Sequence, residues 1–380
     1  MKILHTSDLH LGRQFSGISL DTDHQAVLDQ IVRAVRDLHV DALVIAGDIF
    51  DRAVPPAPAV RQFNAFLTRV ATETAAAVIM IAGNHDSGDR IASMSIMTDT
   101  RRAHIRGVII LDEKPLLLSD MHGVVAFSGL PFSYEYAARQ CFADESIQTP
   151  EDVVAAQVAA ARRHVPPGAR WVIVAHAFVA GALGSDSERP LARVGGIETV
   201  RPETFDGAHY VALGHLHRPQ SVGAPHIRYS GSPLAFGFDE AGAPKSMNLV
   251  EIDAAGQVAV EVVPFEPVRG ARVLRGKYAE LLLAEPSYDF VKAVLTDDTP
   301  VIDGMKRLRD VFPNACELIY AKDERTPEVK LTGGRATKAA SPIEVVGSFL
   351  EIVRDDSLSD DELVVVTSAL HRMREAEDAK

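Results

Sequence analysis

Seven residues of metal-ligand type stand directly after short apolar runs. They are Asp8 and His10 in Asp8-Leu9-His10, Asp48 after Gly47, Asn84 in Gly83-Asn84-His85-Asp86, a lone His176, and His215 and His217 in Gly214-His215-Leu216-His217. Aspartate, asparagine and histidine together suit Mn²⁺, Fe²⁺ or Zn²⁺ better than an all-oxygen magnesium or calcium site. Seven ligands suffice for two ions if one carboxylate bridges. Asp48 is the expected bridge, because an ionised carboxylate offers one oxygen to each ion. Two ions about 3.5–4 Å apart clamp a phosphate and activate water at neutral pH, the machinery of phosphoester hydrolysis. His85 follows a ligand without having to be one. With Asn84 turned to the metals, His85 can face the substrate and protonate the leaving oxygen, since imidazole exchanges protons near neutrality. Asp86 is the group expected to orient it by hydrogen bonding.

No single motif carries this reading. Five of the 14 histidines fall in these motifs, and any one of them alone is more often structural or on the surface. An Asp-X-His pair is weak by itself. Alternation along an extended Gly214–His217 segment would put His215 and His217 on one side. The ordered set of five strand ends is what points to a metal centre.

The elements that position these residues follow from the apolar runs. Lys2–Thr6, Ala42–Ala46, Ala77–Ile81, Trp171–Ala175 and Tyr210–Leu213 have strand length and each leads into a ligand. The carboxyl edge of the strands is where α/β sheets bind ligands, and glycines beside the ligands allow close backbone approach. The spacing predicts helices over Asp23–His39, with Leu28, Ile31, Val32 and Val35 on one face, and over Pro58–Thr74, with Val60, Phe63, Leu67 and Val70. Strand, helix, strand at these lengths means a layered α/β domain. Further strands are expected at Val108–Leu111 and Val124–Phe127, a capped helix from Thr149-Pro150-Glu151-Asp152, and a hairpin of Met247–Ile252 with Val258–Val263.

After Phe265 the pattern changes to short strands at Val273–Leu274, Phe290–Leu295 and Cys316–Tyr320 with a helix over Asp303–Val311, a small α+β module. Lys330–Ala340 carries Gly333-Gly334 and reads as a linker. Ser341-Pro342-Ile343-Glu344 and Ser359-Asp360-Asp361-Glu362 are capping boxes that open two closing helices. Their stripes, Ile343, Val346, Phe349, Leu350 and Val353, then Leu363, Val366 and Leu370, must be buried somewhere. The organisation is therefore a 1–265 α/β domain with the candidate ligands, a 266–329 small α+β module, a 330–340 linker and a 341–380 helical hairpin.

At 380 residues the chain exceeds one compact domain, and 47% hydrophobic with 24% charged residues is the balance of a globular protein rather than a disordered one. Cys141 and Cys316 are in no metal or disulfide spacing, which fits a reducing cytoplasm. The N-terminal apolar stretch is too short for a signal peptide, and no run is long enough to span a membrane. A net charge of -13 argues against autonomous nucleic-acid binding. Bound cations, local arginines or a partner would have to supply the positive field.

Asp8-Leu9-His10, Gly47-Asp48-Ile49-Phe50-Asp51, Gly83-Asn84-His85-Asp86, the lone His176 and Gly214–His217, in this order, resemble the calcineurin-like metallophosphoesterase superfamily. The resemblance implies a four-layered α/β/β/α sandwich. It implies one metal held by Asp8, His10, Asp48 and His217, and another held by Asp48, Asn84, His176 and His215. The stretches HTSDLHLG, AGDIFDRAVPP, AGNHDS, ALGHLHRPQ and RYSGSPLAFGFDE narrow the resemblance to the SbcD nuclease family, over nearly the whole chain. What that implies is a manganese-dependent DNA nuclease subunit of end processing and repair. It would act as a 3′–5′ double-strand exonuclease and a hairpin or end endonuclease. It would carry a capping domain, and C-terminal helices would dock on an SbcC-type coiled-coil ATPase. A homodimer within a heterotetramer is implied as well.

Archaeal and eukaryotic members carry histidine where this chain has Asp51, as bacterial relatives do. Asp51 either helps place DNA or braces its loop, and bracing is favoured. Arg52, Arg101, Arg102 and Arg106 are candidate phosphate contacts, with ordinary solvated surface an equal alternative. The run Arg269, Arg272, Arg275 and Lys277 more often means a solvated face. A small-substrate phosphoesterase, such as a cyclic-nucleotide phosphodiesterase or protein phosphatase, is the rival enzyme; it would not need the cap or the tail. A non-catalytic scaffold on this fold predicts lost ligands, and all seven are present with His85.

Overall fold

The computed structural model describes residues 1–96, 99–188, 192–193, 196–197, 199–322, 359, 362–363 and 365–367. The first four strands of consequence, β1 (Lys2–Thr6), β2 (Ala42–Ala46), β3 (Ala77–Ile81) and β4 (Ala103–Arg106), lie parallel in one sheet. The next six build a second sheet: β5 (Leu116–Asp120), β6 (Gly123–Leu130), β7 (Arg170–His176), β8 (Tyr210–Gly214), β9 (Gln220–Val222) and β10 (Ala224–Tyr229). In it, β6, β7, β8 and β10 run parallel. The hairpin β11 (Ser246–Ile252) and β12 (Val258–Pro264) returns to the first sheet, with β11 antiparallel to β1. The sheet orders are thus β12-β11-β1-β2-β3-β4 and β9-β10-β8-β7-β6-β5.

Strands apolar on both faces are what a sheet covered on both sides requires. Alternate residues of β2 show it. Ala42, Val44 and Ala46 point to the second sheet, packing with Phe127, Val172, Val174 and Ala212. Leu43 and Ile45 point outward to helices α1 (Asp21–Asp37) and α2 (Ala57–Glu73), which bury Val27, Leu28, Ile31 and Val32, and Phe63, Phe66 and Val70, respectively. On the far side, Trp171, Ile173 and Val211 meet Val154, Val158 and Ala161 of the helix Pro150–Arg162. The result is the expected α/β/β/α sandwich. Each fully buried Val, Leu or Ile contributes about 1.5–3 kcal/mol to holding the layers together.

The capping box expected at Thr149 forms, with Asp152 N donating to Thr149 Oγ1 at 3.2 Å and Thr149 N donating to Asp152 Oδ2 at 2.9 Å. The strand expected over Val108–Leu111 does not. Val108, Ile110 and Leu111 are exposed, and the strand runs instead over Ala103–Arg106. There His104 Nε2 and Arg106 Nε reach the buried Glu113 carboxylate at 2.9 and 2.6 Å. That carboxylate neutralises polar side chains which make the segment unlike a strand in sequence.

The small module is a parallel sheet of β13 (Ala271–Gly276), β14 (Phe290–Leu295) and β15 (Ala315–Tyr320) with the helix Gly304–Val311. It has its own core of Tyr278, Val291, Ala293, Leu295, Leu308 and Phe312. Phe290 stacks on Phe15 at 4.5 Å between ring centroids and lies under the Arg269 guanidinium. The chain divides into two units, Met1–Ala321 and Lys322–Lys380. In the second, Ser359 and Glu362 form the expected capping box, Glu362 N donating to Ser359 Oγ at 3.4 Å and Ser359 N to Glu362 Oε2 at 2.9 Å. The linker 330–340 and Ile343, Val346, Phe349, Leu350, Val353 and Leu370 lie outside the described residues. Among the described residues no helix is long and apolar enough to cross a membrane.

Candidate metal centre

The carboxyl ends of β1, β2, β3, β7 and β8 converge where the two sheets meet. His176, ending β7 of the second sheet, donates from Nδ1 to Ala46 O of the first at 2.9 Å. His5 on β1 reaches Tyr210 Oη at 2.9 Å and Leu213 O at 3.2 Å. Sequence reasoning passed over His5, which clamps the sheets just behind the site.

All seven expected ligands come together here. Asp48 Oδ2 lies 3.6 Å from Nε2 of both His10 and His176. His10 Nε2 faces His217 Nε2 at 3.2 Å. Asn84 Oδ1 lies 2.9 Å from His176 Nε2 and 3.0 Å from His215 Nδ1. Ligand atoms of Asp8, His10 and His217 fall within 4.8 Å of one another, and so do those of Asp8, Asp48 and His176. His215 and His217 therefore face different partners, because the backbone is not extended there: His215 has φ +107°. The alternation expected of that segment gives way to this turn.

The backbone is held in unusual geometry to achieve this. Asp8, His10 and Asp48 have φ of 53°, 45° and 48°, a left-handed region that costs non-glycine residues about 1–3 kcal/mol each and that clusters at functional sites. Gly83 packs so closely that a Cβ there would stand 2.2 Å from Asp48 Oδ1 and 2.7 Å from His176 Cε1.

The donor set fits divalent cations. The His176 Nδ1–H is committed to Ala46 O, and burial, opposed by Asp48 and that hydrogen bond, lowers the imidazolium pKa and keeps the ring neutral. Its Nε2 is then a lone pair aimed at another acceptor, Asn84 Oδ1, while Asn84 Nδ2 is buried without a partner. His10 is likewise driven neutral by burial and then by the neighbouring His217. Burial and then the charge of Asp48 push the Asp8 carboxyl well above the usual range, against the pull of Ser7 Oγ and His215 N. Lone pairs and carboxylates crowded together out of water are costly unless a cation joins them.

A supporting layer was not legible in the spacing. His217 Nδ1 lies 2.8 Å from Ser187 Oγ and 3.3 Å from Glu240 Oε1, and His217 N donates to Glu188 Oε1 at 2.7 Å. Glu240 is fully buried and paired with Lys245. Burial opposes its ionisation, but the His217 contact and Lys245 hold its pKa down to about 2. Such partners fix a ligand's tautomer and ring orientation. Glu240 ends the RYSGSPLAFGFDE stretch, but nothing local announces its contacts.

His85 stands beside the centre, half-buried, its ring 4.8 Å from that of His10. Its backbone N donates to Asp48 Oδ1 at 2.9 Å and its Nδ1 lies 2.8 Å from Asp51 O. Asp86 does not orient it. The Asp86 carboxylate accepts from the N–H groups of Ile49, Phe50 and Gly83 at 2.9–3.0 Å and ties the two ligand loops together. Burial, then Asp48, raises its pKa to about 7 against those three N–H donors. The group that steers His85 is the Asp51 carbonyl.

The Asp51 carboxylate sits 3.5 Å from Arg13 and 3.8 Å from His10 Nδ1, the placement of a brace. Arg52 is exposed next to it, 3.9 Å from Asp51 Oδ2. Arg101 and Arg102 are not brought to the site. They precede β4 at the opposite, amino edge of the sheet, where Arg101 pairs with Asp99 and Arg102 donates to Thr74 O and Ala76 O. Arg106 is spent on Glu113. In the cap, Arg269 pairs with Asp23 and Arg272 lies 3.5 Å from Asp289.

The model of the calcineurin-like phosphoesterase family matches residues 1–219. The chain is also 32% identical over 322 residues to the SbcD subunit of the nuclease SbcCD from Staphylococcus saprophyticus subsp. saprophyticus, covering 84% of each chain.

Proposed function

The chain belongs to the calcineurin-like phosphoesterase family and within it to the SbcD nucleases, and from that premise we propose that it is the manganese-dependent nuclease subunit of a DNA-end-processing complex. It is a hydrolase of phosphodiesters. The finer reading is a 3′–5′ exonuclease and a hairpin or end endonuclease that works with an SbcC-type ATPase, as a homodimer within a heterotetramer. Residues 1–265 form the catalytic domain and 266–329 the cap. Beyond the linker 330–340, helices within 341–380 dock on the ATPase, Leu363 and Val366 among the contact residues.

The observation that carries the catalytic part is the Asp48 carboxylate, one oxygen of which stands 3.6 Å from both His10 Nε2 and His176 Nε2. Asp8, His10, Asp48 and His217 would hold one divalent ion, and Asp48, Asn84, His176 and His215 the other. Ions bound there would supply polarisation of the phosphate and a water activated at neutral pH. The protein supplies the rest. Asp48 fixes the His85 backbone through its second oxygen. The Asp51 carbonyl takes the His85 Nδ1–H, so that Nε2 is the nitrogen that delivers a proton to the leaving oxygen. Arg52, exposed beside Asp51, is the proposed contact to the strand's phosphates.

The test is Mn²⁺-dependent degradation of end-labelled linear duplex DNA, with bis-(p-nitrophenyl) phosphate and a cyclic nucleotide in parallel. Wild type should shorten DNA. Asp48→Ala and His85→Ala should not, the latter losing about 10²–10⁴-fold while still binding metal. Cleavage of only the small phosphodiesters, even with the ATPase added, would refute the DNA assignment.

A further inference from the structure

We propose that Phe132, Tyr134 and Tyr136 form a stacking platform for an unpaired nucleobase beside the scissile phosphate. The inference rests on the nuclease reading and refines its substrate to a strand with an unpaired end. The chain leaves β6 at Leu130, whose register partner is Ala175, the residue before His176. Two residues on, Phe132 N donates to Ala82 O at 3.0 Å, and Ala82 is two residues before Asn84. The segment thus emerges at the edge that carries the seven ligands.

From there the rings run outward. Phe132 meets Tyr134 edge-on at 5.1 Å, and Tyr134 and Tyr136 lie within 12° of parallel at 5.8 Å between centroids. Tyr134 is 51% and Tyr136 65% exposed. Among the described residues the other exposed large aromatic side chain is Tyr288, in the small module, so two of three stand side by side at the catalytic edge. Tyr134 stands at the N-cap position of the helix Glu135–Phe142, its carbonyl accepting from Ala137 N and from the N of the buried Ala138, each at 3.1 Å.

An open, preordered pair of aromatic faces suits a planar partner. Every base has such a face, but inside a duplex its neighbours cover it, so an unpaired or terminal base is the form that can stack. Stacking also needs no positive charge. A chain of net charge -13 gains little from general attraction to phosphate, and an uncharged platform supplies affinity that does not depend on it.

The experiment titrates the full chain, in EDTA so that nothing is cut, into a single-stranded oligonucleotide ending in 2-aminopurine, whose fluorescence falls on stacking. Wild type should quench it. Tyr134→Leu combined with Tyr136→Leu should weaken binding about 5- to 150-fold, the equivalent of about 1–3 kcal/mol. Phenylalanine at both positions should retain it. Replacing the terminal bases by abasic sites should weaken the wild type as much and leave the leucine variant unaffected. Equal affinity of wild type and leucine variant for the base-bearing strand would overturn the platform. If the leucine variant melts at a lower temperature, the abasic comparison on wild type decides, and no loss there overturns it. DNA degradation with Mn²⁺ is scored separately. Quenching without degradation removes the nuclease reading and leaves the platform, and degradation without quenching does the reverse.

Discussion

His176 Nε2 and Asn84 Oδ1 stand 2.9 Å apart, a neutral imidazole lone pair facing an amide oxygen. Neither atom has a proton to share. A cation between such groups binds the folded chain and not the unfolded one, so it stabilises by mass action, about 2.7 kcal/mol at a hundredfold excess over its dissociation constant. Mn²⁺ should raise the melting temperature by several degrees over EDTA-treated protein, and His176→Ala should abolish most of that rise. A melting temperature indifferent to Mn²⁺ would show that the seven residues hold no ion.

Gly83 sets how close the two ligand loops come. Its missing Cβ would lie 2.2 Å from Asp48 Oδ1 and 2.7 Å from His176 Cε1. Gly83→Ala should therefore displace the Asp48 carboxylate, with loss of both metal-dependent stabilisation and phosphodiester hydrolysis, and far-UV circular dichroism should remain that of the wild type. Retained activity in this variant would mean that the loops move apart freely, contrary to the close packing observed.

The arginines separate by the edge on which they lie. Arg52 follows Asp51, whose carbonyl meets His85, whereas Arg101 and Arg102 lie at the amino edge. Arg52→Ala should weaken DNA binding and reduce the slope of log K against log salt by about 1. The pair Arg101→Ala and Arg102→Ala should leave that slope unchanged. A shift of the slope by the second pair and not the first would reverse the assignment.

Stability should respond to acid through Asp120. The buried Arg170 guanidinium donates to Asp120 Oδ2 at 3.0 Å and Oδ1 at 2.6 Å, and this pairing first of all holds the carboxyl well below the usual range. A depressed folded pKa adds stability that is complete above the unfolded value, near 3.9, and is lost as pH falls toward the folded one. Asp120→Asn should cost about 1.5–3 kcal/mol at pH 7, because the guanidinium keeps the carbonyls of Gly123, Ile252 and Asp253 but loses its charged partner. Urea melts should show the gap between variant and wild type narrowing below pH 4. A gap of the same size at pH 3 and pH 7 would exclude the ion pair as its source.

The strands Lys2–Thr6, Ala42–Ala46 and Ala77–Ile81 were legible to the residue. Ala42–Ala46 and Ala77–Ile81 are apolar throughout, as parallel strands buried on both faces tend to be, and Lys2–Thr6 carries the apolar pair Ile3-Leu4 ahead of its polar end. Legibility failed where burial is polar. Ala103–Arg106 looks unlike a strand until Glu113 folds over it, and Val108–Leu111 looks like one but stays in water. Asp86 follows His85 in sequence, yet its carboxylate is spent on backbone N–H groups of two loops.

Periodicity and the identity of the residues after each strand are properties of neighbours along the chain. They were enough for a layered α/β domain, for the carboxyl edge as the place where polar residues gather, and for seven candidate ligands with His85 beside them. Which nitrogen each histidine presents, which group steers His85, and which arginines reach the site depend on partners far apart in the chain: Ala46 with His176, Asp51 with His85, Glu240 with His217. Hydrogen bonds and burial act between atoms within a few ångströms, and folding alone determines which distant residues come that close.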